Sequence, residues 1–235
     1  MVSARQRPEP RERPVRRARR LRARGRARAA ERQGAIRPRD RARSAQPAGR
    51  GDPDLSSLAG GREQVIRVVV DDLAFLPSDA IVRPTTARLD PTTPAVSRLE
   101  GVGGAEFTNR LHVQQELVVG AAVVTAGGGD LPAQFVIHAI IQSDTEPISR
   151  DGVARAWRSA LQRAREWEFA TLTAPPLGIG AGNLSVEDSA EVMVPVLKSH
   201  LGNASFPGDV AIVVETPADR EAFEAVLHRQ GAAES

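Results

Sequence analysis

The sequence predicts an α/β sandwich: helices on both faces of a mixed, mostly parallel central sheet of about six strands. Three observations carry this expectation. Short β-branched runs alternate with segments of helical period between Val65 and Leu227, and such alternation puts a sheet between helix layers. The run Phe135-Val-Ile-His-Ala-Ile-Ile is apolar at almost every position, as a strand covered on both faces would be. A glycine-rich turn within Thr173–Ser185 joins a strand to a helix, and ligands of such folds bind at the carboxyl ends of strands.

Composition divides the chain in two. It has 235 residues, no Cys, and a net charge of +3. Residues 1–50 hold 18 Arg against four acids, whereas the remainder holds 14 basic and 25 acidic groups. The formal charges are therefore +14 and −11, a basic arm on an acidic body. Residues 1–62 lack apolar periodicity and cannot bury enough surface to offset their ordering entropy, so they read as a disordered Arg-rich segment. Its charge suits sequence-blind contact with nucleic-acid phosphates; a solvated tail and an upstream extension of the gene are the alternatives. Residues 63–235 read as one folded domain. No apolar run approaches the roughly 20 residues that span a bilayer, so no membrane partner is expected. The absence of Cys excludes a disulfide framework and fits a cytoplasmic location.

Taken in order, Val65-Ile-Arg-Val-Val-Val reads as the first strand and Asp79-Ala-Ile-Val-Arg as the second, closed by Pro84. Thr85 to Pro94 is a Pro/Thr-rich loop. Ala95–Glu100 and Ala105–Leu117 are helical candidates separated by Gly101, Gly103 and Gly104. Ala121–Ala126 and Phe135–Ile141 are the third and fourth strands. Ser149–Trp167 is a helix with Val153, Trp157, Ala160, Leu161 and Ala164 on one face. Phe169–Thr173 is the fifth strand. Val186–Leu201 is a helix with Ser185 as N-cap and a kink expected at Pro195. Asp209–Val214 is the last strand. Thr216-Pro-Ala-Asp opens the last helix with an N-cap, Pro at N1 and an acid at N3.

In the glycine turn, Gly178, Gly180 and Gly182 alternate with small apolar residues. Such a turn can aim several backbone N–H groups at an anion, and the missing side chains let a phosphate approach. The alternative is a tight turn with no ligand. No Gly-Lys-Ser/Thr follows, so it is not a P-loop, and Asn183 breaks the dinucleotide fingerprint.

Five segments together resemble a macro domain, the ADP-ribose-binding module. Asp72-Leu-Ala-Phe-Leu-Pro-Ser-Asp-Ala-Ile-Val resembles the family's opening Asp-Ile-Thr…Asp-Ala-Ile-Val. Ala95-Val-Ser-Arg-Leu-Glu-Gly resembles its first helix. Gly120-Ala-Ala-Val-Val-Thr-Ala-Gly and Leu131-Pro-Ala-Gln-Phe-Val-Ile-His resemble two of its strands. Pro176-Leu-Gly-Ile-Gly-Ala-Gly resembles its second phosphate-binding loop. The resemblance implies a three-layer macro fold over residues 63–235 and, as partner, ADP-ribose or an ADP-ribosylated macromolecule. It implies that Asp72 accepts from an adenine amino group, with Leu73 beside it. It implies that Gly178, Ile179, Gly180, Ala181, Gly182 and Asn183 cradle phosphate, and that Thr86 stands where an Asn holds the distal ribose. The chain departs from the family where Asn-Ala-Ala-Asn is replaced by Arg83-Pro84-Thr85-Thr86. It departs again where a glycine loop with a catalytic Asp becomes Leu89-Asp90-Pro91-Thr92-Thr93-Pro94. The acid falls near Thr93, and Asp90 is a candidate substitute.

Other chemistry is sparse. His138 sits in an apolar strand and reads as a packed histidine. With His112, His200 and His228 scattered and no Cys, neither a metal nor a cofactor is expected. Ser143, Asp144 and His138 lack a nucleophile-elbow context. Trp157 and Trp167 read as core or half-buried helix residues. The leading function is therefore binding of ADP-ribose or a related nucleotide diphosphate. The rivals are an ADP-ribosyl hydrolase and a degenerate fold serving as an interaction domain.

Overall fold

The computed structural model describes residues 64–112, 115–180 and 183–232. The Arg-rich segment, with its expected disorder and nucleic-acid contact, lies outside the described residues, as do Ala181 and Gly182.

Six strands form one sheet: β1 (Val65–Val70), β2 (Ala80–Thr86), β3 (Ala122–Ala126), β4 (Phe135–Gln142), β5 (Thr171–Ala174) and β6 (Asp209–Val214), in the order β1-β6-β5-β2-β4-β3. Every neighbouring pair is parallel except β3 with β4. The helices are α1 (Pro94–Thr108), α2 (Arg150–Glu166), α3 (Val186–Leu201) and α4 (Pro217–Ala232). Alternation along the strands assigns the layers. Val82, Ile137, Ile141 and Ile212 pack with Trp157 and Leu161 of α2, Met193 and Leu197 of α3 and Phe223 of α4. Ile81 and Val213 face the other way, onto Leu99 of α1. This is the expected three-layer sandwich. β4 is buried at its six central positions, because helices cover it on one side and α1 with its neighbours on the other.

The helix starts follow their sequence signals. Ser185 Oγ accepts from Asp188 N at 3.0 Å at the start of α3. Thr216 Oγ1 accepts from Asp219 N, and Asp219 Oδ2 from Thr216 N, a reciprocal capping box opening α4. α3 runs through Pro195 to Leu201. Among the described residues, no helix is long and apolar enough to cross a membrane.

Two local expectations are corrected. Pro84 does not close β2, which continues to Thr86. β5 pairs with β2 only at Ala80 and Ile81, so at Pro84 no strand on that side needs a donor; the Pro84 carbonyl instead accepts from Thr92 Oγ1 at 3.2 Å. The glycine break expected in α1 is present, but it falls at Gly104 alone and not across Gly101–Gly104. The first helical stretch of α1 runs on past Gly101 and Gly103 to a kink at Gly104 (φ 62°, ψ −166°), and the second ends at Thr108 rather than Leu117, followed by a 3₁₀ turn at Asn109–Leu111. Leu99 and Phe107, both fully buried on either side of the kink, tie the two stretches to the sheet.

Candidate functional site

A cavity of about 550 Å³ opens over the carboxyl ends of β1, β6 and β5. Its walls are Val70–Leu73 after β1, Val213 and Glu215 at β6, Pro175, Pro176, Ile179 and Gly180 after β5, and the first residues of α1 and α4. The size is that of a small-molecule site, and the position is the one that parallel sheets offer to ligands.

Asp72 is fixed in this wall by a local turn. Its Oδ1 accepts from Ala74 N at 3.0 Å, its carbonyl accepts from Phe75 N, and its Oδ2 pairs with Arg98 of α1. Partial burial pushes the Asp72 carboxyl up, but the Ala74 N–H and the Arg98 guanidinium outweigh it and hold it below its usual range. Asp72 is therefore an ionised acceptor at neutral pH. Leu73 is buried beside it and lines the same cavity. Asp71, Glu215 and Asp219 add carboxylates at this end, with Arg98 as the charged base of the lining. Such an end favours an uncharged, donor-bearing group and disfavours phosphate.

The glycine turn after β5 supplies another part of the lining. Gly178 has φ 82°, is buried, and lies so close to α2 that a Cβ would come within 2.7 Å of Val153 Cγ2. Its role is packing: its carbonyl accepts from Leu184 N and closes the turn. Gly180 is exposed at φ 141°, and a Cβ there would approach only Asn183 Nδ2, at 3.3 Å. Ile179 and Gly180 line the cavity; Gly178 and Asn183 do not. The turn is anchored from below, where Ser189 Oγ donates to the Leu177 carbonyl at 2.9 Å.

The segment Thr86–Pro94 is held quite differently. The Thr86 hydroxyl donates to Asp90 Oδ2 at 3.1 Å and accepts from the Arg88 and Asp90 amides, each at 3.2 Å. Thr86 and Asp90 do not line the cavity, whereas Thr93 and Pro94 do. Thr93 is the N-cap of α1, its side chain accepting from Val96 N at 3.3 Å.

Beneath this segment lies a cluster that sequence reasoning missed. Arg83 is fully buried; Nη1 donates to the Leu89 carbonyl at 2.8 Å, and Nη2 pairs with Glu100. Leu89 takes φ 68°, unusual for a branched residue, and is held there with its side chain against Phe107, Leu111 and Val136. His138 Nδ1 lies 3.4 Å from Arg83 Nη1, and its Nε2 lies 2.8 Å from Thr125 Oγ1. A guanidinium only donates, so Nδ1 accepts and Nε2 carries the proton. Burial, and then the Arg83 charge, pull the His138 pKa down to about 3, so this histidine is neutral. It is a packed residue with no access to the cavity. The signal for the cluster was the Arg within Ala80-Ile-Val-Arg; that Glu100 would cross to meet it depends on the path of α1. Among the described residues, no three metal-binding side chains come together.

Comparison with known proteins agrees with this architecture. The macro domain profile matches residues 95–193. A protein of Aeropyrum pernix is 32% identical over 131 residues, covering 54% of this chain and 68% of the relative. A Mycobacterium tuberculosis protein is 28% identical over 177 residues, covering 73% of this chain and 48% of the relative. The chain thus spans about half the length of the mycobacterial relatives it matches. A protein named O-acetyl-ADP-ribose deacetylase from Enterobacter sp. is 27% identical over 172 residues, covering 71% of this chain and 95% of the relative. The fold resembles an Oceanobacillus iheyensis macrodomain solved with ADP (TM-score 0.64, 18% identity, 74% of this chain and 95% of that one). It also resembles a Trypanosoma brucei macrodomain in complex with ADP-ribose (TM-score 0.62, 16% identity, 74% and 83%). The chain belongs to the macro domain family.

Proposed function

We propose that this protein binds ADP-ribose or a related nucleotide diphosphate, free or attached to a macromolecule, in the cavity over β1, β6 and β5. The observation that carries the reading is that Asp72, following β1, and Gly180, following β5, line one cavity. The acidic end receives an uncharged base through an ionised acceptor, Asp72. The glycine end leaves room for an anion against main chain. The Trypanosoma and Oceanobacillus complexes lend support, since those proteins were solved with ADP-ribose and ADP. Binding is favoured over hydrolysis because Thr93, where the family acid is expected, is a helix N-cap, and Asp90 faces Thr86 outside the cavity.

The test is calorimetric titration of the protein with ADP-ribose, AMP and a UDP-sugar. Saturable binding of ADP-ribose with a weaker response to the UDP-sugar is expected. No heat with any of the three would remove the nucleotide reading and leave the interaction-domain reading in its place.

A further inference from the structure

We infer that the outer edge of β1 pairs with the same edge of a second copy of this chain, joining two sheets across a two-fold axis at Val68.

The two edges of the sheet are finished differently. At β3, side chains of α2 close the edge. Arg155 Nη1 donates to the Val119 carbonyl at 2.9 Å, Ser159 Oγ to the Gly120 carbonyl at 2.7 Å, and Arg163 Nε to the Ala122 carbonyl at 3.2 Å. Such cover keeps other strands away. Among the described residues, β1 has no such cover. Val65 N donates to the Gly208 carbonyl and Asp71 N to the Val214 carbonyl, so the odd-numbered residues face β6. The alternation of a parallel ladder then turns the N–H and C=O groups of Ile66, Val68 and Val70 to the open edge. The strand carries no Pro, Lys or bulge, and both its ends expose valine, Val65 at 39% and Val70 at 43%. A groove of about 630 Å³ between β1 and α4 leaves room over Ile66 and Val68.

Charge points to a second copy as the occupant. Antiparallel pairing about Val68 sets Val68 against itself, Ile66 against the second copy's Val70, and Val65 against the second copy's Asp71. Arg67 then stands diagonal to that Asp71 on the same face, within reach of a long side chain. Arg67 spends Nε and Nη2 on Asp209 and keeps Nη1. Asp71 spends Oδ1 on the Asp72 amide and keeps Oδ2. The two-fold axis makes this Arg–Asp pair twice, so the edge is its own complement. One strand pair is a small interface, and a dissociation constant of about 10–100 μM is expected.

Sedimentation velocity of the full chain over a concentration series reads the dimer. Val68→Pro removes one outward N–H while sparing the β1–β6 ladder, and it should abolish the dimer. Arg67→Glu sets like charges against each other and should weaken the dimer about tenfold or more; Arg67→Glu combined with Asp71→Arg should restore it. The charge variants decide the matter even where the proline variant fails to fold. A parent chain that stays monomeric at about 500 μM overturns the inference. So does a dimer whose dissociation constant is unchanged by Arg67→Glu, since it would lie on another surface.

Discussion

Gly178–Gly180 and Thr86–Pro94 both follow parallel strands and each contributes to the lining of one cavity, and they are held in opposite ways. The first is shaped by what its residues lack. Gly178 fits against α2 because it has no Cβ, and Gly180 keeps the cavity wall low for the same reason. The second is shaped by what lies beneath it: a buried guanidinium, a neutral histidine and a helix glutamate fix Leu89 in a conformation it would not choose. The difference teaches where ligand contact belongs in this chain. A wall made of glycine can admit an anion, whereas a wall stapled to the core by Arg83 is complete without one.

The largest effect is expected from breaking the staple. Glu100→Ala looks mild, since Glu100 is a partly exposed helix residue, but it strands the Arg83 charge in the interior. A loss of about 3 kcal/mol in urea unfolding is expected. The double variant Arg83→Met with Glu100→Leu should recover most of it, because an apolar pair asks no counter-ion of the core. A Glu100→Ala loss below about 1 kcal/mol, within the surface ion-pair range, would show that the second wall is not held by charge.

The next contrast lies within the glycine wall. Gly178→Ala forces a methyl against Val153 at positive φ and should cost about 2–3 kcal/mol. Gly180→Ala meets only the end of Asn183 and should cost about 1–2 kcal/mol, from backbone strain alone. Thermal unfolding of the pair checks the order; a reversed order would mean that Gly180, not Gly178, is the packing position.

A pH effect sharpens the account of the second wall. The folded His138 pKa of about 3 lies below the unfolded value near 6.5, so the neutral form is favoured by folding. Its contribution is fully present above pH ~6.5 and declines as pH falls towards 3, at up to about 1.4 kcal/mol per pH unit. Urea midpoints between pH 7 and 5, where carboxylates stay ionised, should fall less steeply for His138→Gln than for the parent. Equal slopes would contradict the buried neutral histidine. The smallest effect is expected at Asp90→Ala. This removes an exposed acceptor and should shift stability by no more than about 0.5 kcal/mol.

Local signals were legible in the sequence. The caps at Ser185 and Thr216, the apolar period of α2 and the uniform apolarity of β4 depend on neighbouring residues, and the structure follows them closely. What escaped depends on partners distant in sequence. Pro84 continues a strand because β5 stops pairing at Ile81, which the residues around Pro84 cannot reveal. The glycines of α1 predict a break, which falls at Gly104; that the second stretch ends at Thr108 and not Leu117 is not visible in the residues around it. In the site, Asp72, Leu73, Ile179 and Gly180 could be named from motif order, whereas Arg98, Glu215 and Asp219 join them only through the fold. The Arg83–Glu100 pair was invisible for the same reason, since 17 residues and a bent helix separate its members.

The central claim, that the glycine wall receives an anion, is tested most directly by the ADP-ribose affinity of Gly180→Glu. The new carboxylate would stand at the rim where the phosphate is expected, adding repulsion of about 1–4 kcal/mol at ~4 Å to the steric block. Circular dichroism should match the parent, because Gly180 is exposed and its Cβ direction is nearly open. The account predicts a folded variant with no measurable ADP-ribose binding. A folded variant that binds ADP-ribose as tightly as the parent would contradict it.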